Sequence, residues 1–285
     1  MLTFLLLLAL KAMACPVSPA EMKSMLGRPN FKSMVVSENG LTERDFKVLV
    51  ERVRKVYDPV FASQGYAVEY LLYWDVEEGN AMTSESKDEK KAWFMFSGGL
   101  LRAKYMTKDG FLFAACHEIG HHLGGFPKEK ELKWCSTEGQ ADYFANLRCM
   151  KELLKGDPEN AKARELKLPA NIVRRCEKTY SDEESINICL RSTKAAEDAY
   201  KFLQAKESGK DADESLFNRF MMPANETIMR YPEITCRAET AYRGAICDRQ
   251  GELSDTDETA GVCHKKNGDR IGMRPACWFK PQVDG

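Results

Sequence analysis

The sequence predicts an α+β fold, in which a small, mainly antiparallel sheet packs on two helices and a helical, disulfide-stapled part follows. Three observations predict it. Residues 66–74, 80–84 and 92–96 are short segments bounded by turn residues, and two of them are rich in aromatic and β-branched residues, as strands are. Segments with apolar residues at helical spacing precede and follow them. The 285-residue chain also has ten cysteines, a number that in an exported chain indicates disulfides.

The N-terminus has the features of an export signal, which we place at residues 1–14. Residues 2–10 are apolar except for Thr3, and Ala12-Met13-Ala14 has the small-x-small pattern that precedes a cleavage point. The apolar run is too short to cross a bilayer, so no transmembrane anchor is expected. We weigh plain cleavage, with the protein in a bacterial periplasm or secreted, equally with a lipid anchor at Cys15. Residues 15–40 contain several Pro and Gly and are predicted to form an irregular lead-in.

The charge is nearly balanced, with 42 basic and 43 acidic residues. Without a basic stripe, nucleic acid is not an expected partner. The length allows one good-sized core, or a core and a subdomain. We expect a compact domain at residues 41–155 and, at residues 156–285, a region that is first helical and becomes loop-rich from Pro223. The sequence does not indicate an oligomeric state.

The cysteines are assigned to the scaffold, because the C-x₂₋₄-C pairs of zinc thiolate sites are missing. Cys176 and Cys189 flank a break between two helical segments, and we expect a disulfide there. If Cys15 is lipidated, one of the other nine is left over. The candidate for a buried free thiol is Cys116, whose alternative role is that of a small core residue. Four further cysteines are expected to staple the C-terminal part, with connectivity left open: Cys236, Cys247, Cys263 and Cys277.

The domain at residues 41–155 begins with a helix and three strands. Thr42 and Asp45 supply an N-cap, and apolar residues from Phe46 to Phe61 follow at helical spacing. Gln64-Gly65 ends this helix. The three strands come next, with a charged hairpin tip at residues 84–91.

A second helix is predicted from Lys108 or Asp109 to Gly124-Gly125, and it contains H-E-x-x-H. His117 and His121 lie one turn apart on one face, so both imidazoles can reach a single zinc ion. Glu118 then lies beside the open position of the metal, as the general base of a zinc hydrolase. The alternative is a core helix that happens to carry histidines. Gly120 lowers helix stability, and we expect it to allow close approach of a neighbouring backbone.

A third helix, at residues 137–154 with Thr137 as its cap, carries two carboxylates one turn apart. We expect Glu138 to be the third zinc ligand, with water in the fourth position. Asp142 is expected to accept an N–H from a ligating histidine. Carboxylates on a helix are usually solvated surface, which is the alternative for both.

These motifs resemble the gluzincin metallopeptidases, especially the group of the CAAX-processing and heat-shock-induced membrane proteases. The matching elements, in the expected order, are Asn80-Ala81, a strand that leads into Gly99-Leu100-Leu101, His117 to His121, and Glu138 to Asp142. The resemblance implies a zincin-like fold, Zn²⁺ as cofactor and peptide hydrolysis. Only sixteen residues separate His121 from Glu138, so a compact, soluble version of the domain is implied. The tail from Tyr231 to Cys247 is similar to uncharacterised exported bacterial proteins, which indicate no activity.

The expected function is therefore that of an exported zinc endopeptidase acting on a peptide or protein. The strand with Trp93, Phe94, Met95 and Phe96 is expected to be the edge on which substrate pairs. His122 is expected either to contact the zinc ligands without binding the metal itself or to lie on the surface. By residue type alone, four side chains qualify to stabilise the oxyanion: Tyr143, Tyr231, Tyr242 and His264.

Two other functions are considered. A non-catalytic metal-binding or structural protein would keep the motifs behind a cleft blocked by residues 223–285. A metal-dependent exopeptidase would need a group that holds a substrate terminus, and none is identified.

Overall fold

A computed structural model describes residues 39–219 and 221–282 of the chain. The predicted signal peptide, Cys15 and almost all of the lead-in lie outside the described residues. The elements in chain order are helix α1 (Glu43–Ser63), strands β1 (Ala67–Tyr73), β2 (Ala81–Ser86) and β3 (Lys91–Ser97), and helices α2 (Gly98–Arg102), α3 (Lys108–Leu123), α4 (Glu138–Phe144), α5 (Met150–Leu154), α6 (Ala170–Thr179), α7 (Glu183–Ser208) and α8 (Ile234–Ala245). No helix among the described residues is long and apolar enough to cross a bilayer.

Helix α1 begins at the predicted cap. The Thr42 hydroxyl accepts from the backbone N–H of Asp45 at 3.3 Å, and the Asp45 carboxylate accepts from the N–H of Thr42 at 3.0 Å. Its apolar side chains, among them Phe46, Val50 and Phe61, are buried in the main core. The reciprocal cap and the apolar stripe together explain why this helix was predictable.

The sheet is small and mixed, with the strand order β1-β3-β2. β3 pairs in parallel with β1 and antiparallel with β2. The prediction of a mainly antiparallel sheet is therefore half right. The β2–β3 hairpin is antiparallel, as its short tip requires. β3 lies between β1 and β2, however, and runs parallel to β1.

The prediction that β3 is an edge strand for substrate is wrong. The residues assigned to that role, Trp93 to Phe96, have strand partners on both sides. Their side chains are at most 7 % exposed. A strand with both edges hydrogen-bonded cannot pair with a peptide. Strand β2, which lies at an edge of the sheet, borders the histidine helix and contacts it through Thr83 and His122.

Helix α3 lies at the centre of the fold. Thr107 caps it by accepting from the N–H of Gly110 at 3.0 Å, and it ends at the predicted glycines, with Gly125 at φ +73°. It packs against α1, β2, α4 and α7, so most of its residues are buried. A helix that is apolar on almost every side is expected in such a position.

The predicted third helix is present but has a wider turn in its middle. α4 continues through a π-helical turn (Ala145–Cys149) into α5 without leaving helical backbone angles. Thr137 occupies the cap position, although its side chain makes no capping hydrogen bond.

The C-terminal part shares its core with the N-terminal part. α7 packs on α3 and α8 packs on α4 and α7. The largest core cluster runs from Phe46 to Ile246, so it includes residues of both predicted regions. The sequence predicts only loop-rich chain after Pro223, whereas helix α8 lies there. Its buried face consists largely of small residues, which produce little apolar periodicity.

Four disulfides connect the described residues: Cys116–Cys149, Cys176–Cys189, Cys236–Cys277 and Cys247–Cys263. The Cys176–Cys189 prediction and the stapling of the C-terminal part are confirmed. Of the two roles considered for Cys116, the free thiol is excluded, because α3 and the π-helical turn bring its Cα within 5.5 Å of that of Cys149, to which it is bonded. Cys116 is buried in the core, as its alternative role requires. Cys135, which is buried, lies outside these four pairs.

Candidate metal centre

Close packing of α3 on α4 brings the predicted ligands together. A Cβ at Gly120 would lie 2.8 Å from the carbonyl oxygen of Ala141 and 2.9 Å from its Cα. Such distances are far inside van der Waals contact, so only glycine allows this approach. The expectation for Gly120 is thereby confirmed, and the neighbouring backbone belongs to the helix that carries Glu138.

The side chains of His117, His121 and Glu138 converge on one point. The two Nε2 atoms are 3.1 Å apart. Glu138 places Oε2 at 3.3 Å from Nε2 of His117 and Oε1 at 3.6 Å from Nε2 of His121. Ligands that bind zinc tetrahedrally at about 2.1 Å are separated by about 3.4 Å. The residues are 8 %, 2 % and 3 % exposed, so they form a buried cluster that could hold a metal ion.

The second nitrogen of each histidine faces an oxygen. Nδ1 of His121 donates to the carbonyl of Ser136 at 2.8 Å. Nδ1 of His117 lies 2.7 Å from Oδ1 of Asp142, although the contact departs from in-line hydrogen-bond geometry. A proton on each Nδ1 leaves both Nε2 lone pairs directed at the shared point, as metal ligation requires.

Two residues that the sequence analysis missed complete the cluster. Arg237, on α8, donates from Nη2 to Oε2 of Glu138 at 2.9 Å and from Nε to Oδ2 of Asp142 at 2.8 Å. Tyr200, on α7, donates its hydroxyl to Oδ1 of Asp142. Arg237 and Tyr200 lie 95 and 58 residues from Asp142 along the chain, and no motif spacing connects them to it.

The electrostatics of the cluster favour ionised carboxylates. Burial acts to raise the pKa of Glu138, but Arg237 and then the histidines lower it to about 2. The pKa of Asp142 is likewise held well below its usual range against burial, chiefly by Arg237 and His117. Burial acts to lower the pKa of His117, but Asp142 and Glu138 raise it to about 8. Burial raises the pKa of Glu118, while the two histidines act to lower it. At neutral pH the site therefore presents Glu138 as an anionic oxygen donor.

Glu118 and the three candidate ligands line one cavity of about 120 Å³. An apolar cavity of about 150 Å³ holds a benzene molecule, so the space fits about one side chain. The wall beyond the ligands is mostly apolar, formed by Leu100, Met106, Phe113, Ala114, Phe202 and Leu203. Residues from Gly79 to Thr83, which lead into strand β2, also line the cavity, so it lies between the sheet and the helices.

Of the four candidates for oxyanion stabilisation, only Tyr231 is among the described residues that line this cavity. Tyr143 is fully buried elsewhere and donates its hydroxyl to the carbonyl of Gly272 at 2.6 Å. Tyr242 packs against Phe217, and Nε2 of His264 lies 3.7 Å from Glu258 in the C-terminal loops. Tyr231 comes from residues 223–285, as Arg237 does, so that region forms part of the cavity wall.

The side chain of His122 is only 3 % exposed, and its partners lie outside the ligand cluster. Its Nε2 lies 2.6 Å from the hydroxyl of Thr83, and its ring stacks on Trp134 with centroids 4.6 Å apart. Glu85 lies 3.4 Å from Nδ1. His122 therefore connects the metal helix α3 to strand β2 and is not a surface residue.

A scan against protein-family models found no match, and searches of curated proteins and solved structures found no significant match. The likeness to gluzincins therefore rests on the quoted motifs alone.

Proposed function

We propose that the protein is a zinc-dependent endopeptidase. One observation carries this proposal: two imidazole nitrogens and a carboxylate converge in the wall of a cavity that Glu118 also lines. Two histidines and one acidic residue, with an open fourth position, are the ligands of known catalytic zinc sites. The zincin-like fold and the gluzincin membership are part of the same proposal.

The buried donors fit a zinc ion in number, type and spacing. His117 and His121 would bind through Nε2, and Glu138 through a carboxylate oxygen. When bound, the ion would act as a Lewis acid that lowers the pKa of water to about 7 and polarises a carbonyl.

The other steps belong to side chains of this protein. Glu118 accepts the proton of the attacking water and delivers it to the nitrogen of the leaving amine. Tyr231, at the cavity wall, donates its hydroxyl to the carbonyl oxygen as negative charge develops there. Asp142 holds the ring of His117 in the ligating tautomer.

The cavity disfavours release of residues from the carboxyl terminus of a substrate. Capture of that terminus requires a cation that is available to it. Among the described residues the cavity wall has two cations of lysine or arginine, and both are engaged by carboxylates of the protein, Arg237 by Glu138 and Lys206 by Glu78 at 3.3 Å. The apolar wall fits a bulky apolar residue next to the bond that is cleaved.

The disulfides are compatible with an exported protein, because disulfides persist in oxidising compartments. We propose the bacterial cell envelope or the medium as the location, with lipidation at Cys15 as the alternative to plain cleavage.

The test compares the purified mature chain with Glu118→Gln and with a control, Glu152→Gln, at an exposed position on α5. Zinc content is measured by elemental analysis, and cleavage with casein and an unbiased peptide library. We expect Glu118→Gln to retain zinc and to lose about 10²- to 10⁴-fold in cleavage rate, while the control behaves as wild type.

Unchanged cleavage by Glu118→Gln would refute the assigned role. Zinc binding by the wild type without cleavage of any library member would instead identify a non-catalytic metal-binding protein.

A further inference from the structure

Arg237, the buried arginine of α8, contacts two acidic residues of the candidate metal centre, Glu138 and Asp142. We propose that Arg237 is a positioning residue, which restricts Glu138 to binding through one oxygen and holds Asp142 against His117. The inference rests on the metal-binding part of the proposed function and does not depend on peptide hydrolysis.

The contact with Glu138 determines which oxygen is available. Nη2 of Arg237 donates to Oε2 at 2.9 Å, while Oε1 lies towards His121, 3.6 Å from its Nε2. A carboxylate with one oxygen engaged by a guanidinium is disfavoured as a two-oxygen ligand. Single-oxygen binding leaves room around the ion for water and a substrate carbonyl.

The contact with Asp142 orients a histidine. Nε and Nη2 of Arg237 donate to Oδ2 and Oδ1 of Asp142 at 2.8 and 2.9 Å, a bidentate pair. Such a pair fixes the plane of the carboxylate as well as its distance. Since Oδ1 of Asp142 lies 2.7 Å from Nδ1 of His117, the guanidinium sets the orientation of this imidazole through Asp142.

The guanidinium is itself held in place. Arg237 is 7 % exposed, and its guanidinium carbon lies 5.1 Å from the ring centre of Tyr200 and 5.9 Å from that of Tyr231. These are distances of cation–π contact. The preceding residue, Cys236, is bonded to Cys277, which restrains the start of α8.

Removing Arg237 should change the zinc affinity in one direction through the lost orientation of the ligands and in the opposite direction through the lost positive charge. A positive charge so close to a metal site repels a divalent cation, so removing it should by repulsion alone strengthen metal binding. Loss of affinity on removal would therefore report the lost orientation of the ligands.

The experiment uses the full mature chain as wild type, Arg237→Met, Arg237→Lys and the control Arg243→Met. Arg243 lies on the same helix, is half-exposed and pairs with Glu239 at 2.6 Å. Zinc affinity is measured by competition with a chromophoric chelator, and ligand geometry by the visible absorption of the protein saturated with Co²⁺. Far-UV circular dichroism checks the fold.

We expect Arg237→Met to lower zinc affinity about 10- to 100-fold, as loss of groups that orient metal ligands does. Its Co²⁺ absorption should weaken as Glu138 binds through both oxygens. Arg237→Lys keeps the charge, and with it the repulsion of the metal, without the planar fork, so it should show the same spectral change and at least as large a loss of affinity. Arg243→Met should match the wild type in both measurements.

Wild-type or higher affinity together with a wild-type Co²⁺ spectrum in Arg237→Met would overturn the proposal. If that variant does not fold, Arg237→Lys decides, and a wild-type spectrum and affinity there would overturn it equally. A wild type that binds no zinc would overturn both this inference and the proposed function. A wild type that binds zinc but cleaves nothing would refute only the peptidase.

Discussion

Replacing Gly120 by alanine should separate the two helices that carry the metal ligands. The new Cβ would lie 2.8 Å from the carbonyl oxygen of Ala141, where ordinary contact begins at 3.4 Å. The helices must therefore move apart by about 0.6 Å, because backbone atoms cannot turn aside as a side chain can. Overpacking of this kind costs about 1–3 kcal/mol, and the better helix propensity of alanine returns about 1 kcal/mol.

The expected result is a loss of about 0–2 kcal/mol in the free energy of unfolding, measured by denaturant titration of the protein without zinc. The zinc affinity should fall about tenfold or more, because functional constellations tolerate displacements of only about 0.5 Å. The measurement is competition with a chelator.

The matched control is Gly110→Ala, on the same helix. There the new Cβ would lie 3.0 Å from Sδ of Met106, the end of a flexible side chain, and 3.2 Å from the hydroxyl of Thr107, and the nearest backbone atom outside the helix, the carbonyl oxygen of Ala195, is 3.5 Å away. Its zinc affinity should equal that of the wild type. A folded Gly120→Ala variant that binds zinc as tightly as the wild type would refute the reasoning.

Three further predictions concern the surroundings of the site. Replacing both Cys116 and Cys149 by alanine opens a loop with a sequence separation of 33 residues and should lower the free energy of unfolding by about 4 kcal/mol; an unchanged denaturation midpoint would contradict this. Ala114→Phe should fill the apolar end of the cavity and shift cleavage in a peptide library from bulky to small residues beside the cleaved bond, whereas an unchanged preference would place the substrate side chain elsewhere. His122→Phe removes the contact with Thr83 and should cost about 1 kcal/mol of stability without loss of zinc, so a drop in zinc content would show that it supports the ligands.

Predictions that succeeded depend on interactions between residues close in the chain. Local backbone geometry determines the cap of α1, the glycines that end α3 and the placement of His117 and His121, four residues apart, on one helix face. The pairing of Cys176 with Cys189 spans a short turn between two helices. Gly120 was also predicted correctly, because a glycine inside a helix at a functional motif indicates close packing.

Predictions that failed depend on how distant segments pack. No disulfide partner for Cys116 was evident, because Cys149 lies on another helix, in a turn whose π-helical form the sequence does not indicate. β3 would lie at the edge if the strands paired in chain order, as strands adjacent in the chain usually do, but β3 lies between β1 and β2. Helix α8 was missed because small residues fill its buried face.

The sequence by itself determined which donors the candidate centre has, since the periodicity of a helix places His117 beside His121 and Glu138 beside Asp142. Only the tertiary structure decided that these two pairs meet, because their approach depends on the contact of Gly120 with Ala141. It also decided that Arg237 and Tyr200 surround Asp142. Ion pairs between residues so far apart in the chain form only when the helices that carry them share a core, and such packing leaves no periodic trace in the sequence.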